Sequence, residues 1–170
     1  MPRIFLYGTS FSPEADSRAA ARALLSRALR DAWSWTDTPP VERGRFGKPW
    51  FPDFPDRRFN LSHAAGLCLC ALSDMGEVGA DIERVRPRRD SLPRYVLSAR
   101  EFASFDGTWE DFYRIWTLKE AYCKFLGRSI FPPQDIPAPP PAPHRCYAGD
   151  GWRAALCADN GELPEEIRWV

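Results

Sequence analysis

The sequence lacks any stretch approaching the ~20 consecutive apolar residues that a membrane-spanning helix needs, so no such span is expected. It lacks an excess of either charge. Its 23 Lys and Arg are matched by 23 Asp and Glu, for a formal net charge of zero, whereas a generic nucleic-acid binder carries a basic surplus. It also lacks a disulfide framework. The five cysteines, at 68, 70, 123, 146 and 157, are odd in number and irregular in spacing. Cys68 and Cys70 would share a strand face, but no second pair or nearby His completes a zinc set. Buried, inert thiols are the expectation, and they suit a reducing compartment. The short apolar run Ile4–Tyr7 is no signal-peptide core. A cytoplasmic protein is therefore expected, with neither membrane nor nucleic acid as partner. No short-period repeat is present. The G-x-x-x-x-G-K-[ST] phosphate loop and the G-x-S-x-G elbow of hydrolases are absent as well.

What is present can build a core. Of the 170 residues, 44% are apolar and 14% aromatic, which excludes a wholly disordered chain. Ile4–Tyr7 reads as a first strand. Ser12-Pro13-Glu14 reads as a helix start, with a cap, a proline and an acid in order. Ala21, Leu24, Leu25, Ala28, Leu29 and Ala32 then follow at helical spacing, with Arg18 and Arg22 one turn apart beside them. Residues 43–58 have the composition of an ordered loop with aromatic anchors. Phe59–Ser62 and Leu67–Leu72 read as strands around a turn at 64–66, and Val78–Val85 as another strand. Ser98–Glu101 is a capping-box pattern. Thr108–Asp111 has the same outline with Asp in the last place. A long helix is predicted from about Trp109 to Leu126, stopped by Gly127. Residues 132–143 hold seven of the 17 prolines and read as a polyproline-like connection. Arg145–Tyr147 and Trp152–Cys157 supply last strands. The order predicts an α+β fold in two related halves, residues 1–76 and 77–170, meeting near Gly76.

Four places carry chemistry. In Gly79-Ala80-Asp81-Ile82-Glu83, strand alternation turns Asp81 and Glu83 to one side. Such a pair is either a solvated strand face or a site for a cation, since facing carboxylates repel without one. Trp116, Glu120 and Lys124 stack at i, i+4 and i+8. Glu120 and Lys124 are either a surface ion pair or part of a partly buried functional face. In Phe59-Asn60-Leu61-Ser62-His63, Ser62 and His63 stand at a strand end, as phosphate donors or as turn and packing residues. Lys48 in Gly47-Lys48-Pro49 is either a solvated lysine or an anion ligand. Together these residues fit a magnesium-assisted reaction on a polyphosphate.

The motifs GKPWF, FNLSHAAG, GADIERV and FYRIWTLKEAYCKFLG, in this order, resemble those of the Sfp-type 4′-phosphopantetheinyl transferases, from about Ser17 to the C-terminus. The resemblance implies two similar α+β halves packed as a pseudo-dimer within one chain, a monomer with coenzyme A bound between the halves. It implies transfer of the phosphopantetheine arm of coenzyme A to a serine of an apo acyl or peptidyl carrier protein, with release of adenosine 3′,5′-bisphosphate. By motif, Asp81, Glu83 and Glu120 would hold Mg²⁺, or Mn²⁺ in its place. Glu120 would be the base for the carrier serine, directly or through water, and Lys124 would stabilise the pyrophosphate. Lys48, Ser62, His63 and Arg22 would hold the phosphates of coenzyme A, together with Lys124. The chain looks like a short member: only Arg3 precedes Arg18, where larger relatives carry more basic residues, so weaker binding of coenzyme A is expected. The stretch near 105–112, which helps receive the carrier in relatives, is compact. Arg84, Arg86, Arg88 and Arg89 are expected either to dock acidic carrier helices or to form a solvated loop. The rival expectation is a non-catalytic coenzyme A or carrier-binding module derived from such an enzyme. A Mg²⁺-dependent phosphohydrolase is a more distant option without a motif of its own.

Overall fold

Alternation of apolar residues sorts the strands of the computed structural model, which describes residues 3–170, into two main sheets. The first contains β1 (Ile4–Ser10), and helix α1 (Ser17–Trp33) follows it. Two short strands, β2 (Glu42–Arg43) and β3 (Pro49–Trp50), pair antiparallel around the Gly47 turn. Next come β4 (Arg58–Ala64) and β5 (Leu67–Ser73). The second half opens with β6 (Val78–Arg84), then α2 (Leu92–Val96), α3 (Ala99–Ser104) and α4 (Trp109–Leu126). It closes with β7 (His144–Gly149), β8 (Trp152–Ala158) and β9 (Arg168–Trp169). The sheets run β4-β5-β1-β9 and β6-β8-β7. The architecture is α+β, as expected.

All seven residues of β5 are buried, which accounts for its unbroken apolar run. Leu67, Leu69 and Ala71 meet Val78, Ala80, Ile82 and Leu156 in a core between the two sheets. Cys68, Cys70 and Leu72 face the other way, onto Leu24, Leu25, Ala28 and Leu29 of α1. Cys68, Cys70, Cys123 and Cys157 are free and buried, as expected, whereas Cys146 on β7 is exposed, against the expectation. On the far side, α4 lays Leu118 and Ala121 against Ala155 and Cys157 of β8. Gly79 sets how closely it lies on β6: a Cβ there would sit 2.2 Å from both Ala121 O and Phe125 N. Only a bare backbone leaves room for the helix.

Most element limits follow the expectations, and the short helix α2 was not foreseen. Helix α1 begins at Ser17, capped by Asp16 accepting from Arg18 N, and not at Ser12. Ser12, Pro13 and Glu14 close a turn through Ala15 N→Ser12 O (2.9 Å) and a bond between the Ser12 and Glu14 side chains. The small ladder of β2 and β3 overlaps the loop expected at 43–58 and begins one residue before it. The proline-rich stretch holds a 3₁₀ turn at Pro133–Asp135. The end of the chain returns to the first sheet, where β9 pairs parallel with β1.

Candidate active site

The edges of β4 and β6 are joined by side chains. Asn60 Oδ1 accepts Ala80 N (2.9 Å), and Ser62 Oγ accepts Ile82 N (3.4 Å). Asn60 and Ser62 are both buried, so these bonds satisfy amides that would otherwise be costly orphans. Between those two amides lies Asp81, 4% exposed. Its Oδ1 accepts from Ser62 Oγ (2.8 Å) and from Lys124 Nζ (2.6 Å). Its Oδ2 is buried and has no partner among the described residues. Lys124 therefore pairs with Asp81 across elements, rather than with Glu120 one turn back on its own helix.

Glu83 and Glu120 stand around this carboxylate. Burial pushes the pKa of each up to about 7, and the charge of Asp81 adds to the rise while Lys124 opposes it. Glu83 also lines a pocket of about 220 Å³ with Arg88, Leu92, Val96, Phe112, Tyr113 and Trp116.

A larger pocket of about 450 Å³ lies beside the group, between α1, the Gly47 turn, β4 and the end of α4. Its lining contains Arg18, Arg22, Arg43, Lys48, Lys124, Arg128 and His63, and no acid. Lys48 is held at its wall, with Nζ 2.9 Å from Phe125 O and 2.5 Å from Glu77 Oε2. Burial lowers its pKa, and Glu77 opposes that shift. The alternation of β4 separates two neighbours in sequence: His63 lines this pocket, while Ser62 turns toward Asp81.

This arrangement puts a cationic, phosphate-sized cleft next to three carboxylates. Among the described residues, no three acidic, thiol or imidazole groups are gathered tightly enough to hold an ion by themselves. A family model described as the 4′-phosphopantetheinyl transferase superfamily matches residues 77–157. Sfp of Bacillus subtilis (strain 168) is 29% identical over 147 residues, 74% of this chain and 65% of the relative. AcpT of Salmonella typhi is 40% identical over 130 residues, 71% of this chain and 65% of the relative. AcpT of Escherichia coli (strain K12) is 42% identical over 127 residues, 70% of this chain and 62% of the relative. Over residues 77–157 the chain is similar to the 4′-phosphopantetheinyl transferase superfamily. It spans less than two thirds of the length of these relatives.

Within the superfamily match fall Asp81, Glu83, Glu120 and Lys124; Arg22, Lys48, Ser62 and His63 precede it. Sequence reasoning missed Arg43 and Arg128, which a loop and a helix end bring to the cleft by tertiary folding alone. It also missed the buried pair Lys119–Glu101, 2.7 Å apart. That pair had a signal: Lys119 lies on the i, i+4, i+8 stripe of Ile115 and Cys123, both buried.

Proposed function

We propose that the chain transfers the 4′-phosphopantetheine group of coenzyme A to a serine of an apo acyl or peptidyl carrier protein, releasing adenosine 3′,5′-bisphosphate. The observation that carries this reading is the junction at Asp81. One of its oxygens is held by Lys124 and Ser62, and the other is buried and unpartnered between a cationic cleft and two glutamates with raised pKa values. An all-oxygen set with one orphaned carboxylate oxygen fits Mg²⁺ or Mn²⁺, with substrate phosphate completing the shell. Asp81, Glu83 and Glu120 would hold the ion. When bound, it neutralises charge on the pyrophosphate that is cleaved.

The chain's own groups supply the rest. Arg22, Lys48 and His63 in the cleft grip the phosphates of coenzyme A, with Arg18, Arg43 and Arg128 adding charge. Lys124, reaching both cleft and carboxylates, meets the charge on the departing phosphate as the phosphorus–oxygen bond breaks. Glu120 takes the proton of the attacking serine hydroxyl as the new oxygen–phosphorus bond forms. The aromatic pocket beside Glu83 offers an apolar wall to the pantetheine arm. Arg86, Arg88 and Arg89 are exposed beside it and complement an acidic carrier helix.

The same reading takes residues 1–76 and 77–170 as two related halves of a monomer. Each carries a helix packed on a sheet, and the cleft draws on both. Among the described residues no helix is long and apolar enough to cross a membrane, and formal net charge is zero.

The rival is a non-catalytic coenzyme A or carrier-binding module. Glu120→Gln separates the two. The transferase reading expects it to lose at least about a hundredfold in turnover, with its melting temperature and coenzyme A affinity retained. Near-wild-type turnover in Glu120→Gln would remove Glu120 from its role. A wild type that binds coenzyme A but modifies no carrier would favour the module.

A further inference from the structure

We infer that Glu77 is a positioning residue for Lys48, holding its ammonium fixed and charged at the wall of the cationic cleft. The inference deepens the transferase reading, on which it rests for the identity of the nucleotide. The chain has three lysines, 48, 119 and 124. Each stands against one carboxylate: Lys48 on Glu77 at 2.5 Å, Lys119 on Glu101 at 2.7 Å and Lys124 on Asp81 at 2.6 Å. Lys48 comes from the Gly47 turn, so its counter-charge is brought by another element.

Glu77 is anchored to bring it. The residue stands just before β6 and is tied to the residue after β8. Its N donates to Asp159 Oδ2 at 2.6 Å, and Asp159 N donates to its O at 3.1 Å. Its Oε1 accepts Arg58 Nε of β4 at 2.8 Å. That leaves the buried Oε2 to face Lys48, with no other partner among the described residues. Lys48 Nζ also donates to Phe125 O at 2.9 Å, in the last turn of α4, where the carbonyls carry the negative end of the helix dipole. An ammonium has three donors. Two contacts fix this one and leave a donor for the cleft that Lys48 lines.

The charge of Lys48 depends on the same partner. Burial favours the neutral amine, and Glu77 opposes that shift. Arg58 pushes the same way as burial, and Asp159 opposes it more weakly than Glu77 does. Across the cleft stand Arg18, Arg22, Arg43, His63, Lys124 and Arg128, none of which stabilises a second cation. Without Glu77, Lys48 would give up its proton at a lower pH, and the cleft would lose one charge toward phosphate.

The test compares Glu77→Gln, which keeps the shape and removes the charge, with the wild type. Three lysines are few enough to follow one by one, by NMR of protein carrying lysine labelled with carbon-13 at Cε, with Lys48→Arg assigning the Lys48 signal. In the free protein, Lys48 should titrate about one pH unit lower or more in Glu77→Gln, with Lys119 unmoved. Coenzyme A affinity is read by calorimetry in EDTA. Relative to the wild type, Glu77→Gln should lose about tenfold or more in affinity between about pH 7 and about pH 9, as one charged contact is discharged. His63 titrates in both proteins and cancels in the comparison. Lys48→Arg combined with Glu77→Gln should abolish the extra loss, because a guanidinium keeps its proton. If Glu77→Gln does not fold, Glu77→Asp takes its place: the shorter carboxylate withdraws from Lys48, and a smaller shift in the same direction is expected. An unmoved Lys48 titration, or tighter coenzyme A binding by the variant at every pH, overturns the assignment. A wild type that does not bind coenzyme A overturns the transferase reading, whereas the Lys48 titration in the free protein tests the inference independently of it.

Discussion

Lys119 and Glu101 form an ion pair inside the protein, with Nζ 2.7 Å from Oε2 and the lysine side chain fully buried. The lysine also donates to Pro133 O at 2.9 Å and to Val96 O at 3.3 Å. The glutamate accepts Ser98 N through Oε2 at 2.8 Å and Ala138 N through Oε1 at 3.0 Å. One pair thus ties α4 to the end of α2, the cap of α3 and the proline-rich segment.

Removing one partner leaves a buried charge uncompensated. Lys119→Met should cost about 3–5 kcal/mol of stability in urea denaturation. Lys119→Met combined with Glu101→Gln should recover much of that loss, since the amide still accepts a backbone N–H. A single variant within the error of the wild type would show that the pair contributes nothing.

Glu83 and Glu120 bear on stability through pH. Their pKa values rise from the ordinary 4.5 to about 7 on folding. The native state therefore binds more protons than the unfolded chain between those values. Stability from these two groups is full below about pH 4.5 and is lost as pH rises toward about 7. In EDTA, the melting temperature of the wild type should fall across that window relative to a Glu83→Gln, Glu120→Gln variant. Mg²⁺ should reduce the difference, because a cation favours the ionised carboxylates. A wild type that gains on the variant as pH rises would reverse the sign and refute the burial argument.

Arg88 and Arg89 are exposed, and Arg88 edges the pocket beside Glu83. Charge reversal to Arg88→Glu, Arg89→Glu should raise the KM for an acidic carrier and steepen with falling ionic strength. Coenzyme A affinity should change far less than the carrier KM, since Arg89 lies outside the pocket that Arg88 edges. An unchanged carrier KM would remove these arginines from docking.

Local chemistry explains which parts of the fold were legible in sequence. Thr108 caps α4 by accepting Asp111 N, and Gly127 ends it at φ 62°, so both limits follow from short-range rules. The apolar run of β5 and the alternation of β6 also read directly. Long-range pairing did not: β9 joins β1 across nearly the whole chain, with only two residues to signal it. The start of α1 misled because Ser12, Pro13 and Glu14 satisfy one another in a turn. At the candidate site, Asp81 and Glu83 were legible from strand parity. The split of Ser62 from His63 follows from the same parity, but the face each takes depends on where β6 and α1 pack. Arg43 and Arg128 reach the cleft only through the tertiary fold.

The most direct measurement is the intact mass of an apo carrier protein after incubation with the chain, coenzyme A and Mg²⁺, with EDTA as control. The account predicts a gain of about 340 Da, the mass of one phosphopantetheine, that disappears in EDTA. An unmodified carrier across fatty-acid, polyketide and peptide-synthetase types, with coenzyme A binding still detectable, would contradict it.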